Sequence, residues 1–450
     1  MPLADRIVLR SSPTEDTTPD MGMLLGHALA MDYKRIVVAR DQMRSSSMMK
    51  EALVAGILSS GADVLDIGVA SGPAAALAAT KGDCAVYVTE YRGYGMISGY
   101  ILLNRDGSLF RKEQIRHLEK IFVDPPELPP SGKLGHVIDL LGAVDEYNAR
   151  LTSAVSGKSE CAIILDCGCG PVSASAPVVL NEMGADVLTL NAQYDLDFKS
   201  EAMDETGVDI TDTERLVGCN MGCIGICMNK IGTMMALLDE KGNRLTPEQL
   251  FATIVMYLMP SSIAVPIDIS SLVIEAYDGK LGTLSDAPPT KHDAQGLVLT
   301  PNNIGSVCES MASGSELGYY DGGIIFGGTS MMPDGIRAAM VIATIAGSHS
   351  LNRLAASFPD YRRDSREVEC TCGPDAFVRA MESAVEDMEN PVLTAGEAWR
   401  VELEEGWYLI SLTRGPNPTV RIDAESADRA YLIGLMEVAE DLVSDCMKSQ

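Results

Sequence analysis

The sequence predicts an α/β protein of several domains, closed by a smaller α+β domain, and three observations predict it. From Arg35, apolar runs of strand length alternate with segments of helix length. The alternation restarts at Cys161. Past about Arg363, extended stretches are interleaved with two amphipathic helices. Strands separated by helices of this length pair in parallel through right-handed crossovers.

Taken in order, RIVVARD is an apolar run ending in charge, and SSSMMKEALVAGILSSG is a helix with serine at its start and Gly61 at its stop. ADVLDIGV is a second strand, PAAALAATKG a short helix and DCAVYVTE a third strand. CAIILDCGCG opens the next α/β stretch, continued by the helix of SAPVVLNEMGA and the strand DVLTLNA. In IGICMNKIGTMMALLDEKGNR, DEKGN reads as a hairpin-like turn between an apolar strand and a helix starting at Pro247. Another α/β stretch follows residue 250. In the terminal part VELEEGWYLISLT and VRIDAES read as strands, and PDAFVRAMESAVEDM and SADRAYLIGLMEVAEDLV as helices. VDPPELPPSGK is a Pro-rich loop and SFPDYRRDSREVE a charged linker.

A chain of 450 residues holds roughly two to four domains and buries a large core. Lys and Arg number 35 against 63 Asp and Glu, a net charge of −28. That acidity argues against an electrostatic grip on nucleic acid or anionic lipid, which needs a basic face, and leaves room for a small basic pocket. The N-terminal stretch lacks the basic start and apolar run of a signal peptide, and LFATIVMYLMPSSIAVPIDI is broken by Pro260, Pro266 and Asp268. A cytoplasmic protein is expected. Eleven cysteines thinly spread over the chain suit reduced thiols better than a disulfide framework.

The scaffold stretches resemble the α-D-phosphohexomutase family (phosphomannomutase, phosphoglucomutase and phosphoglucosamine mutase). VVARDQMRSSSMMKEALVAGILSSGADVLDIGV is similar to that family's strand–Arg-Asp–Ser-Ser–helix segment, and GYILLNRDGSLFRKEQI to the stretch after its catalytic loop. CAIILDCGCGPVSASAPVVLNEMGADVLTLNA looks like the opening of its second domain, MALLDEKGNRLTPEQL like the stretch after its metal loop, and GGIIFGG with PDGIRAAM like the region after its sugar-selecting loop. The resemblance implies four domains around one cleft, at 1–143, 144–245, 246–360 and 361–450, each contributing a loop.

At those loops the chain departs from the family. The first, T-A-S-H-N-P in the family, carries the phosphoserine; here the matching positions are Thr89-Glu90-Tyr91-Arg92-Gly93-Tyr94, with Tyr91 at the nucleophile position. A phenol oxygen lies several Å further from the backbone than a serine hydroxyl, and phosphoryl transfer is a matter of positioning. The second, D-G-D-x-D-R, holds Mg²⁺ in the family; here Asn229, Ile231 and Thr233 stand at the three Asp positions, and Lys230 brings an ammonium that would hold an anion directly. The sugar loop reads Gly318-Tyr319-Tyr320-Asp321-Gly322, with two rings able to stack on a ligand or to pack. The phosphate loop keeps Thr413, Arg414, Gly415 and Asn417 as candidates for an anion nest. Arg40 and Asp41 match the family's Arg-Asp.

Core substitutions commonly cost kcal/mol, so random decay would damage the scaffold as well as the loops. A kept scaffold with rewritten loops leads to the expectation of a family member without phosphoserine–Mg²⁺ chemistry, with no cofactor, binding a phosphorylated or anionic small molecule in a regulatory or accessory role, with a protein partner or a second copy. Two alternatives stand beside it. One is a working phosphosugar mutase with substitute residues such as Tyr91 or Glu90, which would bring back Mg²⁺. The other is a thiol–metal or iron–sulfur protein built on Cys167, Cys169, Cys219, Cys223 and Cys227, although Cys223 and Cys227 on one strand would lie roughly 13 Å apart.

Overall fold

The structure, a computed structural model, describes residues 18–92, 96–123, 129–154, 158–196, 208–219, 222–284, 296–386 and 388–448, with backbone alone at 91–92, 96–98 and 122–123. Contacts divide the chain into two compact units, residues 1–247 with 321–354, and residues 248–320 with 355–450.

The first unit opens with α1 (Pro19–Asp32), β1 (Arg35–Arg40), α2 (Arg44–Ser59), β2 (Asp63–Val69), α3 (Gly72–Ala78), β3 (Cys84–Arg92) and β4 (Met96–Asn104). They are followed by α4 (Lys112–Val123), β5 (Val137–Asp139) and α5 (Ala143–Ala154). The sheet order is β4-β3-β1-β2-β5, parallel except for β4, which returns antiparallel on β3. Period-two alternation sends successive β1 side chains to opposite faces. Ile36 and Val38 join Leu25 and Leu29 of α1 and Leu53 and Ile57 of α2, while Val37 and Ala39 join the alanines of α3. Helices thus cover both faces, which is why β1 reads as an unbroken apolar run. Burying each of these Val, Leu and Ile side chains contributes about 1.5–3 kcal/mol. Helix α2 does not begin on a capping serine as expected. Met43 is its N-cap, without a side-chain hydrogen bond, and Ser45, inside the first turn, gives its hydroxyl to Glu90.

A second sheet in this unit comprises β6 (Ala162–Asp166), β7 (Asp186–Leu190), β8 (Cys223–Met228) and β9 (Met235–Leu238), in the order β7-β6-β8-β9, with α6 (Ala176–Glu182) and α7 (Thr211–Cys219). Strand β6 pairs parallel with β7 and β8, and β9 is antiparallel to β8. The DEKGN turn forms as expected, with Asp239 Oδ1 accepting from the N–H groups of Lys241 (2.8 Å) and Asn243 (2.9 Å). Helix α8 (Pro247–Leu258) then begins at the proline.

In the second unit β10 (Ile263–Pro266), α9 (Ser271–Tyr277), β11 (Leu297–Thr300), α10 (Ile304–Ala312) and β12 (Leu317–Tyr320) place β11 and β12 on either side of β10, all parallel. Strand β13 (Gly323–Phe326) and α11 (Gly335–Ala346) belong to the first unit. The second unit resumes with β14 (Arg362–Glu369), α12 (Pro374–Glu386), β15 (Val392–Thr394), β16 (Ala398–Leu403), β17 (Gly406–Thr413), β18 (Thr419–Ser426) and α13 (Arg429–Lys448). Their sheet is antiparallel, ordered β14-β18-β17-β16-β15.

Two expectations are corrected here. VELEEGWYLISLT is a hairpin, with β16 and β17 turning at Glu404 and Glu405. The segment read as a charged linker contains the edge strand β14, whose residues are all exposed, so no apolar alternation marks it. Charged side chains on an edge also discourage further pairing. No helix among the described residues is long and apolar enough to cross a membrane.

Candidate active site

In the first unit, two parallel strands end side by side and deliver four polar residues to one edge. β1 runs into Arg40 and Asp41, and β3 into Thr89 and Glu90. The carboxyl edge of an open α/β sheet is where ligands bind, because the crossing loops diverge there. Asp41 is fully buried, and its N–H is tied to Val88 O at 3.0 Å. Its Oδ2 accepts from the Thr89 hydroxyl (2.7 Å) and the Glu90 N–H (2.9 Å), and its Oδ1 from the Met43 N–H (3.0 Å). Arg40 folds back, Nη1 donating to Asp41 O at 2.8 Å.

The second sheet of this unit meets that edge. The turn after β8 carries Lys230, whose Nζ lies 3.4 Å from Asp41 Oδ2 with 12% of its side chain exposed. A buried carboxylate is costly unless paired and hydrogen-bonded, and here it is both. The Lys230 backbone is pinned by the Cys167–Gly170 turn. A Cβ on Gly170 would stand 2.3 Å from Lys230 O, and Gly168 holds φ +58° against Met228 O. The glycines of CGCGP therefore serve a close backbone approach.

Loop 229–234 closes on itself. Asn229 Oδ1 accepts from the N–H groups of Thr233 (2.9 Å) and Met234 (3.2 Å), and its Nδ2 donates to Thr233 Oγ1 at 2.9 Å. Ile231 is buried among Val37, Ala39, Leu65 and Met332. These side chains do not fit a magnesium cage: the loop has no carboxylate, and the Asn229 and Thr233 oxygens already have partners within it. Among the described residues no group of three or more His, Cys, Asp or Glu is placed to hold a metal.

Beside this pair the Ser45 hydroxyl, on the first turn of α2, donates to Glu90 Oε2. Ser45 is half-buried and Glu90 is 9% exposed. In the sequence Glu90 is a candidate by its place in the first loop, whereas Ser45 marks only a helix start. The one available signal was three consecutive serines after Arg-Asp. Tyr91 and Arg92 lie on β3 opposite Ile97 and Met96; their side chains, and residues 93–95, lie outside the described residues.

The remaining candidates belong to other segments. In the second unit Tyr319 is buried and stacked on Phe251, ring centroids 4.9 Å apart, so one face of its ring is already covered; Tyr320 is half-buried. Asp321, in the first unit, is exposed at φ +47°. In the phosphate loop Thr413, Gly415 and Asn417 are exposed, while Arg414 donates bidentately to Glu397 (Nε to Oε2 at 2.8 Å, Nη2 to Oε1 at 2.6 Å) and pairs with Asp375 (2.8 Å). Hydrogen bonds to Glu397 and Asp375 raise its pKa, and an incoming anion would have to displace a carboxylate.

The thiol–metal alternative is corrected. Cys167, Cys169 and Cys227 are buried, and desolvation pushes their thiols up to about 12, 11 and 12 respectively. A thiol must ionise to bind a metal, so burial among apolar neighbours works against ligation.

Residues 6–127 match the family description "Phosphoglucomutase/phosphomannomutase, alpha/beta/alpha domain I". The chain is 27% identical over 450 residues to the "Probable phosphoglucosamine mutase" of Methanococcoides burtonii, covering 98% of each chain. A phosphoglucomutase/phosphomannomutase family protein from Burkholderia thailandensis shares the fold with a TM-score of 0.77 at 18% identity, covering 98% of this chain and 96% of that one. The N-acetylphosphoglucosamine mutase of Aspergillus fumigatus, solved with GlcNAc-6P and magnesium, superposes with a TM-score of 0.51 at 11% identity over 93% of this chain and 83% of that one. Two expectations fall with these findings. A regulatory or accessory protein without mutase chemistry is overturned by the end-to-end likeness to a relative carrying the mutase name. The expectation of no cofactor is overturned by the magnesium bound in a protein of the same architecture.

Proposed function

The chain belongs to the α-D-phosphohexomutase family, and from that premise we propose that it is a working phosphosugar mutase of the phosphoglucosamine type, moving the phosphate of a glucosamine phosphate between two oxygens of the same sugar. The observation that carries this reading is the similarity to a phosphoglucosamine mutase over 98% of both chains. A likeness confined to one domain would support only a shared fold.

The arrangement at the carboxyl edge of β1 and β3 supports it further. Phosphoryl transfer asks the protein for positioning and for positive charge near the phosphate oxygens. Lys230 supplies an ammonium at a fixed place, held by Asp41 (3.4 Å) and by a backbone that Gly170 allows to approach. Arg40, at the end of β1, donates to the Asp41 carbonyl at 2.8 Å. Glu90 takes the role of a proton acceptor, since its carboxylate already accepts a hydroxyl proton donor. Magnesium, when bound, would neutralise phosphate charge; loop 229–234 itself holds no carboxylate for it.

The test is direct. Purified protein with glucosamine 6-phosphate, a catalytic amount of glucose 1,6-bisphosphate and Mg²⁺ should form glucosamine 1-phosphate. Absence of turnover with the glucosamine, glucose and mannose phosphates alike would refute the reading.

A further inference from the structure

We propose that Ser45 is the residue that carries the transferred phosphate, with the Glu90 carboxylate as its base. The inference rests on the mutase reading and adds to it the covalent carrier, which the family's own serine position, occupied by Tyr91, does not supply as a serine.

A hydroxyl nucleophile is recognised by a base within hydrogen-bond reach that is itself held in place. Ser45 Oγ donates to Glu90 Oε2. Glu90 is fixed through its own N–H, which donates to Asp41 Oδ2 at 2.9 Å. Ser45 sits on the first turn of α2, a 16-residue helix whose N-cap residue Met43 makes no side-chain capping bond. First-turn N–H groups and the helix dipole favour a dianionic phosphate at that end. Lys230, on the same Asp41, adds an ammonium to the cluster. The neighbouring Ser46 is fully buried with its hydroxyl unpartnered, so it is walled off from substrate, whereas Ser45 is half-exposed.

The step balances without a redox partner. Ser45 Oγ bonds to phosphorus as the bond from phosphorus to the sugar oxygen breaks. The hydroxyl proton passes to Glu90, which releases it to water, and the departing sugar oxygen takes a proton from water. The reverse step onto the other sugar hydroxyl returns Ser45 to its free form.

The experiment incubates the full chain with glucosamine 6-phosphate, glucose 1,6-bisphosphate and Mg²⁺, measures turnover, and maps phosphate after tryptic digestion. The peptide SSSMMK carries Ser45 and GDCAVYVTEYR carries Tyr91, so the two positions separate cleanly. The expected result is turnover with phosphate on Ser45. Ser45→Ala should then lose both, Ser45→Thr should recover part of each, and Glu90→Gln should slow phosphate uptake about 10²–10⁴-fold. Ser46→Ala should keep uptake, which controls for damage to the helix start. Turnover with phosphate on Tyr91, or turnover retained in Ser45→Ala, overturns the inference and leaves the mutase reading standing. A wild-type chain that neither turns over nor takes up phosphate overturns both.

Discussion

Asp41 and Lys230 concentrate the local electrostatics. The carboxylate has three hydrogen-bond donors and the ammonium around it, at 2.7 to 3.4 Å. Lys230→Met removes the cation while keeping most of the stem's volume, so kcat/KM should fall about 10²-fold, the scale of losing one well-placed donor to a transition-state anion. Steady-state kinetics would show it; an unchanged kcat/KM would mean that Lys230 only neutralises Asp41. A second residue-scale prediction concerns Asp334, the N-cap of α11, which accepts from the Tyr147 hydroxyl at 2.8 Å and from the Arg337 N–H at 2.9 Å. Burial, which outweighs those bonds and the Arg337 charge, pushes its carboxyl up to about 6 from 3.8. Between those values the folded state binds more protons than the unfolded one. Stability therefore falls as pH rises from about 4 to about 6, by about 3 kcal/mol in all. Asparagine caps helices as well as aspartate does. Asp334→Asn should flatten that slope in urea titrations at several pH values and be at least as stable as wild type at pH 7. A variant that keeps the slope would assign it to other groups.

At the scale of elements, the parallel strands of the first unit were legible because helices on both faces demand continuous apolar runs, and β1, β3 and β6 have them, while β2 carries Asp66 within its run. The DEKGN turn was legible because aspartate, glycine and asparagine each make a specific contribution to it. β14 was not, since a strand with every residue exposed leaves no pattern, and the β16–β17 turn was masked by two glutamates between apolar stretches. Part of the site could be read: Arg40, Glu90 and Lys230 all lie at the edge described. Ser45 escaped because a serine at a helix start is ordinarily a cap, and only the observed Met43 cap removes that explanation. CGCGP was ambiguous in sequence and acquires a cause in the 2.3 Å that a Gly170 Cβ would leave to Lys230 O. Gly170→Ala should destabilise the protein by about 1–3 kcal/mol through overpacking and should also lower turnover by shifting Lys230. Thermal unfolding and kinetics on one preparation would check both, and a variant with unchanged stability would show that the turn yields freely.

Over the whole molecule, a net charge of −28 opposes the approach of an anionic sugar phosphate, so the cations at the β1–β3 edge act against the general field. Raising salt from low ionic strength toward about 0.15 M shortens the Debye length to about 8 Å, and kcat/KM for a phosphosugar should rise. A steady fall would mean that the local cations dominate the encounter. We propose the domain boundaries near residues 143, 245 and 360; each resulting segment contains strands of its own. One measurement tests the mutase activity most directly, a phosphorus NMR time course of the purified chain with glucosamine 6-phosphate, glucose 1,6-bisphosphate and Mg²⁺. Growth of a glucosamine 1-phosphate signal to a fixed equilibrium ratio, at a rate proportional to protein, is the predicted result. A spectrum that never changes, while a known phosphoglucosamine mutase equilibrates the same mixture, would contradict it.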